Sequence, residues 1–168
     1  TLPVPFERQG VTPDDLIDFT PEIRARAEEI ASQYRMGPLF TPPSLRDAED
    51  GTSGVLSLPS TLGGANWEGG VLDPETGMLY VGSQTNASVL QLIPGGERSD
   101  MDYIFGFARA DIAPGVPIVK PPWGRITALD LTDGSRAWMV PNGDTPERVA
   151  ERLEIDPALI PRTGKVSR

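Results

Sequence analysis

Glycine and proline occur 18 times each in the 168 residues, and that punctuation limits what the chain can fold into. Glycine opens tight turns and ends helices, and proline removes a backbone donor, so the elements between them must be short. At 38% hydrophobic and 7% aromatic residues, the length supports one domain with one modest core, and a second independent core is not expected.

Twenty-four acidic residues oppose 15 basic ones, giving a net charge of -9 with no block of Lys or Arg. Nothing supplies the phosphate-neutralising stripe that nucleic acid requires, so nucleic acid is excluded as a partner. No run of about 18 apolar residues occurs, and residues 1–10 lack the basic-then-apolar pattern of a signal peptide. The chain has neither Cys nor His. That removes disulfides, thiolate zinc, iron–sulfur ligation, a covalent c-type haem and the commonest catalytic base. Chemistry is left to carboxylates, amides, lysines or a cofactor, and the composition fits a reducing or an oxidising compartment equally.

Residues 1–10 read as extended linker. Thr12-Pro13-Asp14-Asp15 carries an N-cap, a proline at the first helical position and acids at the positive end of the dipole, which predicts a short helix over 13–18. Thr20-Pro21-Glu22 repeats the signal, and Ile23, Ala27, Ile30 and Tyr34 form one stripe of a helix expected to run over 21–36. From Gly54 the texture becomes β. Residues 55–58, 71–73, 78–82 and 88–93 alternate with turn residues, and Asp73 to Gly77 is a tight turn. Residues 97–117 show no period and are taken as an excursion from the sheet. Residues 126–131 and 136–140 form a hairpin around Thr132-Asp133-Gly134-Ser135, and Thr145-Pro146-Glu147 opens a third helix over 146–154. The organisation expected is a linker and helical insertion over 1–53, blade strands over 54–144, and a capped helix and linker over 145–168. Both ends read as interruptions rather than natural domain termini.

In Ala128-Leu129-Asp130-Leu131-Thr132-Asp133-Gly134-Ser135-Arg136-Ala137-Trp138, an Ala is followed by Asp two places on, Gly at the seventh place and Trp at the eleventh. This resembles the tryptophan-docking repeat of quinoprotein β-propellers, in which the Trp packs against the neighbouring blade. Asp133 and Ser135 depart from that repeat's usual Thr and Lys or Glu. Gly63-Gly64-Ala65-Asn66-Trp67-Glu68-Gly69-Gly70, with the strand after it, resembles the Gly-Gly-x-Asn-Trp segment of pyrroloquinoline-quinone (PQQ) dehydrogenases. Gly37-Pro38-Leu39-Phe40-Thr41-Pro42-Pro43-Ser44 and Lys120-Pro121-Pro122-Trp123-Gly124 are similar to the branch containing membrane-type glucose and quinate dehydrogenases. The likeness covers nearly the whole chain and is weakest over 97–114.

The resemblance implies an all-β fold: part of an eight-bladed β-propeller with short helical insertions, since repeats of about 40–50 residues cannot close a ring within this length. It implies a periplasmic parent, membrane-associated through parts absent here, that oxidises a sugar, polyol or cyclic alcohol with PQQ and Ca²⁺. A quinone or cytochrome would accept the electrons. The remaining blades, in cis or in trans, would be obligatory partners, and the chain alone would be inactive. The catalytic Asp and the calcium ligands would lie in other blades, so no catalytic or metal-binding residue is assigned.

The resemblance implies that the Asn66 amide contacts the cofactor, a role an amide suits because it both donates to and accepts from quinone or carboxylate oxygens, and that Trp67 borders the same pocket. The ordinary structural roles of these residues are backbone satisfaction at a strand start and packing between blades. Lys120 and Arg125 are weighed as carboxylate contacts against the commoner outcome of an exposed charge. Trp123 and Trp138 read as packing. Glu68 with Asp73, and Asp47 with Glu49 and Asp50, lack a calcium-loop spacing. The Asn86 sequon carries no weight. The rival reading is a non-enzymatic propeller-repeat scaffold, which would be indifferent to the residue at position 66.

Overall fold

A computed structural model describes residues 4–65 and 69–165. In chain order it contains helix α1 (Pro21–Ala31), strands β1 (Val55–Ser57), β2 (Gly70–Asp73), β3 (Met78–Gln84), β4 (Ser88–Pro94), β5 (Tyr103–Arg109), β6 (Asp111–Ala113), β7 (Val116–Pro117), β8 (Gly124–Asp130) and β9 (Arg136–Pro141), and helix α2 (Arg148–Leu153). The expected all-β class holds, with antiparallel sheets throughout and few helices. The chain divides into two compact units that alternate along the sequence. One is built from Thr1–Arg8, Leu62–Asn86 and Pro121–Arg168, the other from Gln9–Thr61 and Ala87–Lys120.

The first unit is a four-stranded blade in the order β2-β3-β8-β9. Its two outer hairpins turn by the same device. In the β2–β3 turn Asp73 Oδ1 accepts from the Glu75 amide at 3.0 Å and Oδ2 accepts from Thr76 Oγ1 at 2.7 Å. In the β8–β9 turn Asp130 Oδ1 accepts from the Thr132 amide at 2.8 Å and from its hydroxyl at 2.6 Å. Each turn then needs a left-handed residue, supplied by Gly77 (φ 71°) and Gly134 (φ 78°). The departures at 133 and 135 leave the turn intact, because Asp133 Oδ1 accepts from the Ser135 amide at 2.8 Å. The Leu131 amide donates to the Gly77 carbonyl at 3.0 Å and ties the two turns together. A bulge after Ala128 places Trp138 opposite Ala128 and Arg136 opposite Leu129.

The second unit holds the sheet β1-β4-β5, the β6–β7 ribbon and α1. Thr20 caps α1 as expected, its Oγ1 accepting from the Ile23 amide at 3.2 Å. The helix is shorter than the sequence predicts and ends at Ala31 rather than Met36. Its buried stripe is Ile23, Ala27 and Ala31, while Ile30 and Tyr34 are only half-buried. The reason is pairing: the Arg35 amide donates to Gly54, and the Leu56 amide donates back to Arg35, both at 2.9 Å, so this backbone runs alongside the start of β1. The predicted helix over 13–18 is a single 3-10 turn, Pro13–Asp15.

The stretch 97–117, expected to be an excursion from the sheet, contains β5, which pairs along its whole length with β4, from Pro94↔Tyr103 to Ser88↔Arg109. Its pattern is inverted, which hides it from a periodicity search. Tyr103, Phe105 and Phe107 stand on the exposed face, whereas Ile104, Gly106 and Ala108 face inward. The third helix starts later than expected, at Arg148, and its N-cap makes no side-chain bond. Thr145 is committed elsewhere: its hydroxyl donates to the Pro161 carbonyl at 3.1 Å and accepts from the Thr163 amide at 3.0 Å.

Candidate functional site

Within the first unit the C-terminal end of β3 and the N-terminal end of β8 lie side by side, with Ser83 opposite Arg125 and Gln84 opposite Gly124. The Gly63–Gly64 segment joins this end, since the Gln84 amide donates to the Gly64 carbonyl at 2.7 Å. Three glycines, 64, 82 and 124, line a polar cavity of about 250 Å³ together with Ser83, Gln84 and Lys165. A side chain at Gly82 would meet nothing within 4 Å, so the backbone at that position stands beside open space, whereas Gly64 is packed against Glu7 and Gly124 against the Lys165 backbone. Ser83 is buried, and its hydroxyl has no partner among the described residues.

Beneath this loop lies an ion pair that the sequence does not suggest. Arg125 Nη2 sits 2.8 Å from Glu7 Oε1, and both side chains are only 5% exposed. The same nitrogen donates to the Pro122 carbonyl at 3.2 Å and to Thr85 Oγ1. Thr85 Oγ1 lies 3.0 Å from Glu7 Oε1, and the Arg8 amide donates to that oxygen at 2.8 Å. Burial pushes the Arg125 guanidinium below its ordinary value, and the Glu7 charge offsets part of that. Glu7 Oε2 and Arg125 Nε have no partner among the described residues.

These positions revise the weighing of charges. Arg125 is not an exposed charge: it is buried, and its Nη2 pairs with Glu7. Lys120 belongs to the second unit, where its Nζ lies 2.8 Å from Asp18 Oδ2. Trp123 is 2% exposed, a packing residue as expected. Asp50 pairs with Arg35 at 2.6 Å, and its carboxyl is held far below the usual range by the Thr52 hydroxyl and then by Arg35. Among the described residues no three Asp or Glu gather into a metal-binding group. Asn66, Trp67 and Glu68 lie outside the described residues, while Gly64 and Ala65 lead directly to them.

Sequence reasoning placed Glu7 in a linker and missed it. A faint signal was available in β8, where Arg125 shares strand parity with Thr127 and Leu129 on a buried face and therefore needs a counter-charge. The second unit has a larger cavity of about 450 Å³, lined by Pro38, Leu39, Phe40, Pro42 and Pro43 with Leu56 and Leu58. It has no titratable side chain in its wall, so the Gly-Pro-Leu-Phe-Thr-Pro-Pro segment forms apolar surface rather than chemistry.

Comparison with known proteins agrees with the blade. The family model described as PQQ: glucose/ethanol/alcohol dehydrogenase, β-propeller domain, matches residues 1–167. A probable quinate dehydrogenase (quinone) of Xanthomonas campestris pv. juglandis is 31% identical across 66% of this chain and 16% of its own length. The quinate/shikimate dehydrogenase (quinone) of Acinetobacter baylyi is also 31% identical, across 80% of this chain and 18% of its own. The chain thus spans less than a fifth of these curated relatives. With the blade and these matches together, the chain belongs to the PQQ-dependent glucose/ethanol/alcohol dehydrogenase family and forms part of its β-propeller domain.

Proposed function

We propose that the chain is one sector of a periplasmic quinoprotein dehydrogenase that oxidises a secondary alcohol of a cyclic polyol acid of the quinate kind and passes the electrons to a membrane quinone. The observation that carries this reading is the family match over residues 1–167 together with two quinate-type relatives. No helix among the described residues is long and apolar enough to cross a membrane, so anchoring would come from other parts of the parent.

The cavity at the end of the blade fits one edge of a flat polar cofactor. Its wall offers the open backbone of Gly82 and a positive charge on Lys165. Bound PQQ would supply the electron-accepting carbonyl that removes hydride from the alcohol carbon, with Ca²⁺ polarising it. This chain's part is to bind and orient. Asn66, two residues beyond Gly64, would hydrogen-bond a quinone or carboxylate oxygen, and Trp67 would close the pocket edge. Because Glu7 and Arg125 cancel, the loop sits on a neutral base rather than on a buried negative charge that would repel a polycarboxylate. The proton-abstracting carboxylate and the calcium ligands come from other blades, so this sector alone is inactive.

The test is reconstitution of the full-length apoprotein with PQQ and Ca²⁺, followed by dye reduction with quinate. Saturable PQQ binding with quinate-dependent reduction supports the reading. Absence of PQQ binding overturns it in favour of a propeller scaffold.

A further inference from the structure

We propose that Glu7 is a positioning residue for the cofactor-facing loop: its aliphatic stem is the stop against which Gly64 rests, and the buried pair with Arg125 holds that stop in place. The inference rests on the reading that the Gly-Gly-x-Asn-Trp segment borders PQQ. A Cβ added at Gly64 would lie 3.0 Å from Glu7 Cγ, 3.6 Å from Glu7 Cβ and 3.2 Å from the Gln84 carbonyl oxygen. The space that a side chain at Gly64 would need is therefore taken by the Glu7 stem and by the end of β3, to which Gly64 is tied by its carbonyl accepting from the Gln84 amide at 2.7 Å.

The stem itself has little freedom. Glu7 Oε1 is held by Arg125 Nη2 at 2.8 Å, the Arg8 amide at 2.8 Å and Thr85 Oγ1 at 3.0 Å, in a site where the Glu7 side chain is 5% exposed. Thr85 directly follows the residue that binds Gly64, and its own amide donates to the Trp123 carbonyl at 2.7 Å. One carboxylate oxygen thus links the loop seat, the end of β3 and the approach to β8. A pair serving stability alone would not need its carbon stem against the loop. A displaced seat would move the Gly64–Ala65 backbone that leads into Asn66, and ligand geometry is sensitive to such shifts.

The experiment uses full-length protein carrying Glu7→Ala, Glu7→Gln, Gly64→Ala, Asn66→Ala and the pairwise combinations with Glu7→Ala. Two quantities are read: PQQ affinity by fluorescence titration and thermal unfolding of the apoprotein. Glu7→Ala is expected to weaken PQQ about tenfold, the scale on which residues that orient a ligand group act. Glu7→Gln keeps the stem and should retain most of the affinity even where it lowers the unfolding temperature. Gly64→Ala should weaken PQQ and regain part of the lost affinity when Glu7→Ala removes the stem at 3.0 Å, the Gln84 carbonyl at 3.2 Å remaining. The Glu7→Ala loss should largely vanish in the Asn66→Ala background.

An apoprotein destabilised by Glu7→Ala with unchanged PQQ affinity overturns the proposal, as does full additivity with both Gly64→Ala and Asn66→Ala. If Asn66→Ala alone leaves PQQ affinity unchanged, the cofactor role of Asn66 fails separately. The Glu7 proposal is then decided by the Gly64→Ala rescue.

Discussion

Tyr80 and Trp138 flank Ala128 from the two neighbouring strands, with ring centroids 5.8 Å apart and planes tilted by 38°. Ala128 is fully buried, and its small side chain lets the two rings meet over the middle strand. Trp138 nevertheless remains 43% exposed, alongside exposed Val140. If a neighbouring blade covers this face, Trp138→Ala in the full-length protein should cost about 3–5 kcal/mol, the range for deleting a buried aromatic side chain. If the ring pair is all that Trp138 contributes, the cost should stay near 1 kcal/mol. Urea unfolding of the two proteins separates these cases, and the smaller value would remove the docking role of this tryptophan.

The turn carboxylates give the fold a defined response to acid. Asp73 is held below the usual carboxylate range by the Thr76 hydroxyl and then by the Glu75 amide, and Asp133 is held below it chiefly by Ser135. A carboxyl whose folded value is lowered contributes stability above its unfolded value and loses it as pH falls through the folded one. Asp73→Asn should therefore lower the unfolding midpoint at neutral pH, and the gap to the native protein should close in the acid range. No gap at neutral pH would mean that the turn needs only the side-chain oxygen and not its charge, and a gap independent of pH would mean that the loss does not come from the ionised carboxylate.

Two Thr-Pro-Glu starts show why local signals were read unevenly. At Thr20 the hydroxyl caps α1, whereas at Thr145 the same tripeptide spends its hydroxyl on the 161–163 segment. Both hairpin turns and the Ala-to-Trp spacing were legible because they depend on neighbours in sequence. The β5 strand was not, since its aromatics stand on the exposed side and a glycine faces inward. Glu7 was hidden for a different reason. Its partner lies 118 positions away, and nothing local distinguishes a buried carboxylate from a linker one. Of the candidate site, the loop glycines were legible while the base beneath them was not.

The contrast between the two threonines can be measured directly by hydrogen exchange. Thr20→Ala should speed exchange at the Ile23 amide and cost about 1 kcal/mol, the usual loss for an N-cap. Thr145→Ala should speed exchange at the Thr163 amide and leave the amides of α2 unchanged, because that helix draws no cap from it. Faster exchange along α2 would show that Thr145 caps the helix in solution after all.

The Glu7–Arg125 pair should behave as a unit in stability. Removing one partner leaves a buried charge uncompensated, so Arg125→Leu is expected to cost about 3–5 kcal/mol. Joint replacement by Glu7→Leu and Arg125→Leu removes both charges, keeps an aliphatic stem beside Gly64, and should cost less than Arg125→Leu alone. Thr85 still has the Pro122 carbonyl within 3.0 Å of its hydroxyl, so the double variant does not strand that donor. Urea unfolding of the two variants gives the ordering, and a double variant less stable than Arg125→Leu would mean that the charges themselves, rather than their mutual cancellation, hold this end of the blade together.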